Sequence, residues 1–210
     1  MADRSRWILI TGSIVAFGAL ASQAAGESIL RGDIRLARWI QGRDWPGLDS
    51  LTDAANWSMR TVPFAVAALF VLLGLIWQRW WIDAAVLVAA CLTTQVSNLM
   101  KELFESPRPT SDLIQVREHA ETFGFPGGRA GNAVLVVGAL AWIFGRHVES
   151  RGWRVTVWFA TGFWIALTGV ARVRVGAHWP SDILGAWLWT IPALLLITLL
   201  ANWFQQRRAW

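Results

Sequence analysis

The sequence predicts an all-α, polytopic membrane protein, a single integral-membrane domain over residues 1–210 with six transmembrane helices. Three observations predict it. Hydrophobic residues make up 55% of the chain and charged residues only 16%, against about 25% charged in a soluble domain. The charges gather in short groups between apolar runs that approach the ~20 residues a helix needs to cross a bilayer. The chain also carries 16 Trp and no Tyr, which suits many side chains at membrane–water boundaries. The same pattern excludes a solvated globule and a disordered chain.

The runs lie at about 7–25, 61–77, 82–100, 130–145, 154–171 and 182–204. Each is expected to be helical, because backbone polar groups in hydrocarbon must be satisfied within the segment or in a closed barrel. Period-2 alternation is absent, which excludes the barrel. The fourth run is short and is expected to begin inside the protein rather than in lipid. Arg4 and Arg6, the apolar stretch and Ser22-Gln23-Ala24 resemble a secretory signal peptide. Trp7 to Ala25 is long for its apolar region, which predicts an uncleaved signal anchor.

Residues 28–60 are mixed in polarity. Leu30, Ile34, Ala37 and Ile40 recur at helical spacing with Arg31, Asp33, Arg35 and Arg38 between them. That pattern predicts an amphipathic helical segment lying on the outer surface. Asp44-Trp45-Pro46-Gly47 reads as a turn or a helix start, and Trp39, Trp45 and Trp57 read as interface anchors.

The net charge of +5 does not point to nucleic acid, because the arginines flank apolar segments and form no stripe interleaved with aromatics. With six spans, Arg4, Arg6, Arg79, Arg146, Arg151, Arg154, Arg207 and Arg208 fall on one side. Raw counting does not favour that side, but these residues stand close to span ends in short connections, which places both termini in the cytoplasm. Cys91 is alone and lies inside an apolar run, so neither an intramolecular disulfide nor a thiolate metal cluster is expected.

Polar residues collect in three clusters at span ends. They are Lys101 to Pro109 after the third span, Phe125 to Asn132 entering the fourth, and Arg172 to Asp182 between the fifth and sixth. Counting spans puts all three on one face of the membrane. Together they describe an oxyanion site. Lys101, Arg108 and Arg172 supply cationic donors, and arginine matches phosphate oxygens with a bidentate fork. Gly127 and Gly128 before a helix would let backbone N–H groups approach an anion. His178 and Asp182, four residues apart, suit a histidine nucleophile whose tautomer a carboxylate fixes. Taken singly, a Lys or Arg at a helix end more often snorkels to headgroups; the convergence on one face is what favours chemistry.

Lys101-x6-Arg108-Pro109 matches the first motif of the type-2 phosphatidic acid phosphatase superfamily, the lipid phosphate phosphatases. Arg172-x5-His178-x3-Asp182 matches its third motif, with Ala171 in place of the usual Ser. The chain resembles this family over nearly its whole length. The resemblance implies a phosphohistidine on His178, oriented by Asp182, with Lys101, Arg108 and Arg172 holding the phosphate. It implies no metal and no cofactor, a lipid phosphate or diphosphate as substrate, and a bacterial inner membrane with the site facing outside.

The second motif departs from the pattern. The family has Pro-Ser-Gly-His; this chain has Pro126-Gly127-Gly128-Arg129. Arginine is always protonated in proteins and cannot donate a proton to a leaving group. Three readings follow. A diphosphate substrate needs no acid, which points to a polyprenyl diphosphate with Arg129 stabilising the departing phosphate. Alternatively His119, ten residues earlier in the same loop, substitutes as the acid, His147 being expected on the opposite face. The third reading is a catalytically silent protein that binds anionic phospholipid headgroups or assists lipid movement, and the intact His178 and Asp182 argue against it. A transporter ranks last, because the ionisable residues stand at span ends rather than near the midplane.

Overall fold

The structure, a computed structural model, describes residues 2–25 and 29–208; position 28, where the surface segment is expected to begin, lies outside them. The helices are α1 (Ala2–Ala24), α2 (Asp33–Gln41), α3 (Leu48–Ser58), α4 (Thr61–Trp77), α5 (Trp81–Thr93), α6 (Val96–Phe104), α7 (Gly128–Asn132), α8 (Gly138–His147), α9 (Arg151–Arg174) and α10 (Pro180–Arg208). No strand occurs among the described residues. Among the described residues, five helical stretches are long and apolar enough to cross a membrane, six if α3 and α4, bent by 66° at their join, form one span.

Two further spans are composite. In Trp81–Phe104 the regular helix breaks at Thr94-Gln95. There the Thr93 and Thr94 hydroxyls donate to the carbonyls of Ala89 and Cys91 at 2.7 and 2.6 Å, back-bonding of the kind that bends helices. In Gly128–His147 a π-helical turn, Ala133–Val137, joins α7 to α8. This span is the most enclosed of the set, as its short apolar run predicts. Its small residues let neighbours approach closely, which is how helices associate without a hydrophobic drive in lipid. Ala139 and Leu135 pack with Leu87 and Ala90 of α5 and Trp189 of α10. Phe70, Trp77, Leu99, Leu103 and Phe159 instead face outward, as side chains against lipid should.

Helices α9 and α10 are drawn together near the polar end. A Cβ on Gly169 would lie 2.7 Å from Ile183 Cγ2 and 2.8 Å from the Trp187 ring, so only glycine permits this approach. At the opposite end the buried Asp83 carboxylate meets Arg146 at 3.1 Å and His147 at 2.7 Å, and Trp80 stacks on the His147 ring at 3.5 Å. His147 is thus at the far end from the three clusters.

The surface segment differs from expectation. It is two helices, and α2 packs on protein: Ala37 is fully buried against Val173, Ile183 and Ala186, with Ile34 and Ile40 beside them. The buried Asp33 carboxylate accepts from the Ser181 N–H (2.9 Å) and hydroxyl (2.6 Å), capping α10. An apolar stripe looks alike whether it faces lipid or protein, which is why sequence periodicity places α2 on the bilayer. Leu36 and Trp39 of the same helix are exposed. The turn at Pro46-Gly47 precedes α3, with Gly47 at φ +81°.

Candidate active site

The three clusters meet at one end of the bundle. Lys101 occupies the last turn of α6, buried against Gly128: a Cβ there would lie 3.4 Å from the Lys101 Nζ. Pro107 and Pro109 then prevent the helix from continuing, and Arg108 turns back over the bundle. Its Nη1 donates to the Ala177 carbonyl at 2.6 Å and lies 3.4 Å from His178 Nε2. Its remaining nitrogens donate to the Thr122 carbonyl and hydroxyl. The Trp179 indole N–H donates to the Pro107 carbonyl at 3.1 Å, so the Arg-Pro pair is clamped to the α9–α10 turn.

His178 and Asp182 lie one helical turn apart, which brings Nδ1 to 3.1 Å from Asp182 Oδ2. The same oxygen accepts the Trp179 N–H at 3.0 Å. With the carboxylate accepting from Nδ1–H, the Nε2 lone pair faces Arg108, the side from which an electrophile would come. Burial, then the charges of Arg108, Arg172, Lys101 and Arg129, hold the imidazole well below its ordinary pKa of 6.5. Both effects favour the neutral ring that a nucleophile requires.

Arg172 ends α9, and Arg129 begins α7. Ala55 of α3 packs on Leu167 and Ala171 of α9, which sets Asn56 against the Arg172 guanidinium. The Asn56 carbonyl oxygen accepts from Arg172 Nη1 at 2.7 Å and from Arg129 Nη1 at 3.3 Å. Between the two guanidinium groups lies Glu118: Oε1 accepts from Arg129 at 2.6 Å and Oε2 from Arg172 at 2.9 Å. Burial pushes this carboxyl up, but the hydrogen bond and charge of Arg172, the Asn56 amide and Arg129 outweigh it and bring its pKa down to about 2.

A cavity of ≈ 630 Å³ runs from this cationic end along the bundle. Phe64, Leu69 and Leu72 of α4 and Leu87, Val88 and Cys91 of α5 line its apolar part, while Lys101, Gly128 and Arg129 line its polar mouth. His178, 2% exposed, is not on its wall.

Lys101, Arg108, Gly128, Arg129, Arg172, His178 and Asp182 are thus brought together. Gly127 is close, but its N–H donates to the Asp182 carbonyl at 2.9 Å. It is therefore not available to an anion, contrary to the reading of the Gly-Gly pair as two free donors. His119 is exposed on the loop, and its neighbour Glu118 is the residue that turns into the cluster. Glu118, Asn56 and Thr122 are absent from the sequence reading, and Asp33 enters it only as a polar residue of the surface helix. Only Glu118 had a signal, as an acidic side chain beside the histidine already singled out.

A family model described as the PAP2 superfamily matches residues 80–208, more than half of the chain. Phosphatidylglycerophosphatase B of Bacillus subtilis (strain 168) is 26% identical over 167 residues, 79% of this chain and 77% of that protein. Among solved structures, a transmembrane PAP2-type phosphatidylglycerolphosphate phosphatase from Bacillus subtilis superposes with a TM-score of 0.78 at 19% identity, covering 95% of this chain and 97% of the other. Aquifex aeolicus LpxE gives 0.58 at 21% identity over 79% of this chain and 94% of its own. The family match and the shared helical fold lead to one conclusion: this chain belongs to the PAP2 superfamily.

Proposed function

We propose that this membrane phosphatase hydrolyses a lipid diphosphate, with a polyprenyl diphosphate as the substrate, through a phosphohistidine on His178. The observation that carries the reading is Arg129 at the position of the family's general-acid histidine. Expelling an alkoxide, with a conjugate acid near the ~15.7 of water, demands a proton. Expelling a phosphate monoester, whose second ionisation lies near ~6, does not. A fixed guanidinium at the polar mouth suits the second case, because it meets charge as it develops.

In the first step His178 Nε2 attacks the terminal phosphorus, and the bond to the bridging oxygen breaks. Lys101, Arg108 and Arg172 bind the transferring group, and the lipid monophosphate leaves as an anion. Asp182 keeps Nδ1 protonated and stabilises the positive charge on the ring. In the second step water attacks the phosphorus from the side the lipid vacated. The P–N bond breaks, its electron pair returns to Nε2, the water's proton passes to solvent and inorganic phosphate departs. The lipid tail occupies the apolar part of the α4–α5 cavity, with the site at the outer face of the bacterial inner membrane.

A monoester such as phosphatidylglycerophosphate is the second reading. The phosphatidylglycerophosphate phosphatase of Bacillus subtilis to which the chain is similar favours it, as does the pairing of Arg129 with Glu118, which partly offsets the charge at the mouth. Phosphate release in detergent from polyprenyl diphosphate, polyprenyl monophosphate, phosphatidic acid and phosphatidylglycerophosphate separates the two, with His178→Ala as control. Diphosphate turnover at least tenfold above every monoester is expected; turnover of a monoester as fast or faster overturns the diphosphate reading.

A further inference from the structure

Glu118 has no place in the two steps above, yet its carboxylate spans Arg172, the most enclosed cation of the site, and Arg129 at the cavity mouth. Each oxygen takes one guanidinium N–H, at 2.6 Å from Arg129 and 2.9 Å from Arg172, and the Asn56 amide donates to Oε2 at 3.2 Å. Two oxygens of a phosphate would bridge two guanidinium groups in the same way. Arg172 is 3% exposed, and its Nε is buried without a hydrogen-bond partner among the described residues. Arg172 therefore keeps an unfilled donor while the carboxylate is in place.

We propose that Glu118 is a specificity-determining residue: its carboxylate occupies the oxyanion position between Arg129 and Arg172 as an internal competitor, which a phosphate anchored by a lipid tail displaces and free inorganic phosphate does not. The inference rests on the reading above, that this site receives the terminal phosphate of a lipid. A tethered group competes at an effective concentration in the mM range, so a free anion must exceed that to enter. A lipid substrate is held in the membrane by its tail, so its phosphate is concentrated at the mouth as well. It also brings about −1.5 to −2 of charge against −1 for the carboxylate. Once the tail has left, the phosphate product loses that advantage and Glu118 returns, which clears the site.

The local structure suits the exchange. Glu118 lies in the irregular stretch between α6 and α7, and the N–H groups of Arg117 and Glu118 both donate to the Val175 carbonyl, at 2.8 and 3.2 Å. The backbone is thereby fixed while the side chain, 26% exposed, has solvent on one side. Rotation about side-chain bonds is enough to open the cradle. The competing account is a structural ion pair that only ties this stretch to α7 and α9.

The test uses the full chain in detergent. Inorganic phosphate binding is measured by calorimetry for wild type, Glu118→Gln and Glu118→Asp, beside lipid turnover with phosphate added as inhibitor. Loss of one charge-assisted competitor predicts about tenfold tighter phosphate binding in Glu118→Gln, with a smaller gain in Glu118→Asp. Phosphate should inhibit Glu118→Gln at correspondingly lower concentration, and KM for lipid should fall. Unchanged or weaker phosphate binding in both variants overturns the proposal, as does a turnover loss beyond a hundredfold at unchanged phosphate affinity. If neither variant folds, Glu118 is structural and the proposal fails. Wild type that turns over no lipid phosphate sinks the lipid reading instead, and the calorimetric comparison still shows whether Glu118 competes with anions.

Discussion

Asp33 and Ser181 are joined by two hydrogen bonds from a surface helix to the first turn of α10, the N–H at 2.9 Å and the hydroxyl at 2.6 Å. Ser181 immediately precedes Asp182, so a carboxylate on α2 sets the position of the residue that orients His178. Asp33→Ala removes both acceptors and leaves the buried Ser181 N–H and hydroxyl unmatched. A buried polar group left unmatched costs about 1–3 kcal/mol. The variant is expected to melt several degrees lower in detergent and to lose kcat about tenfold with KM nearly unchanged. A KM effect alone would place Asp33 in substrate binding instead.

Gly176 is at φ +71°, and a Cβ there would lie 2.1 Å from the Gln115 carbonyl oxygen. That oxygen is backbone, so it cannot swing aside as a side-chain end does. Gly176→Ala has to shift residues 115–118 and pull Glu118 from between its two arginines, in addition to the left-handed strain of about 1 kcal/mol or more. Turnover and thermal midpoint are both expected to fall. An alanine variant with wild-type melting would show that the stretch over Gly176 is loosely held.

Two titrations act on stability in the same direction. The unfolded chain protonates His178 as the pH falls through 6.5, while the folded chain, through burial and the surrounding cations, does not. This imidazole therefore lowers stability progressively below that value. Glu118 has its pKa brought from 4.5 down to about 2 in the fold, so its contribution is present above 4.5 and is lost as pH falls through about 2. Thermal midpoints in detergent should decline steadily below pH 6.5, and Glu118→Gln should flatten the part of the decline between about 4.5 and 2. Turnover should show no loss centred on 6.5; an acid limb at or above 6.5 would mean that the nucleophile is not held neutral.

Arg129→His restores a side chain able to give up a proton. Where a general acid matters its presence is worth about 10² to 10⁴. The ratio of monoester to diphosphate turnover is expected to rise at least tenfold in this variant, with diphosphate turnover itself reduced. A ratio that does not move would show that residue 129 does not govern the leaving group.

What sequence made legible follows from what lies at fixed spacing along the spans. Lys101 and Arg108, and Arg172, His178 and Asp182, each belong to one short stretch at a span end, so counting spans is enough to bring them to one face. Glu118 and Asn56 reach the same place by another route: an irregular stretch lies against Gly176, and α3 packs on α9 through Ala55 and Ala171. Neither contact leaves a periodicity to read. Likewise, Gly127 and Gly128 look equivalent until the Asp182 carbonyl claims one N–H. The buried face of α2 carries the same apolar stripe that a helix lying on lipid would carry. The break at Thr94-Gln95 has its cause in hydroxyls bonding back along the helix, which an apolar run does not reveal.

The most direct test of the account is to trap the covalent intermediate. Wild type and His178→Ala would be mixed with polyprenyl diphosphate labelled in its terminal phosphate, quenched within one turnover and mapped for label. An acid-labile, base-stable phosphoryl group is expected on His178 in wild type and none in the variant. Turnover by wild type with no label on His178 at any quench time, or equal turnover by His178→Ala, would contradict it.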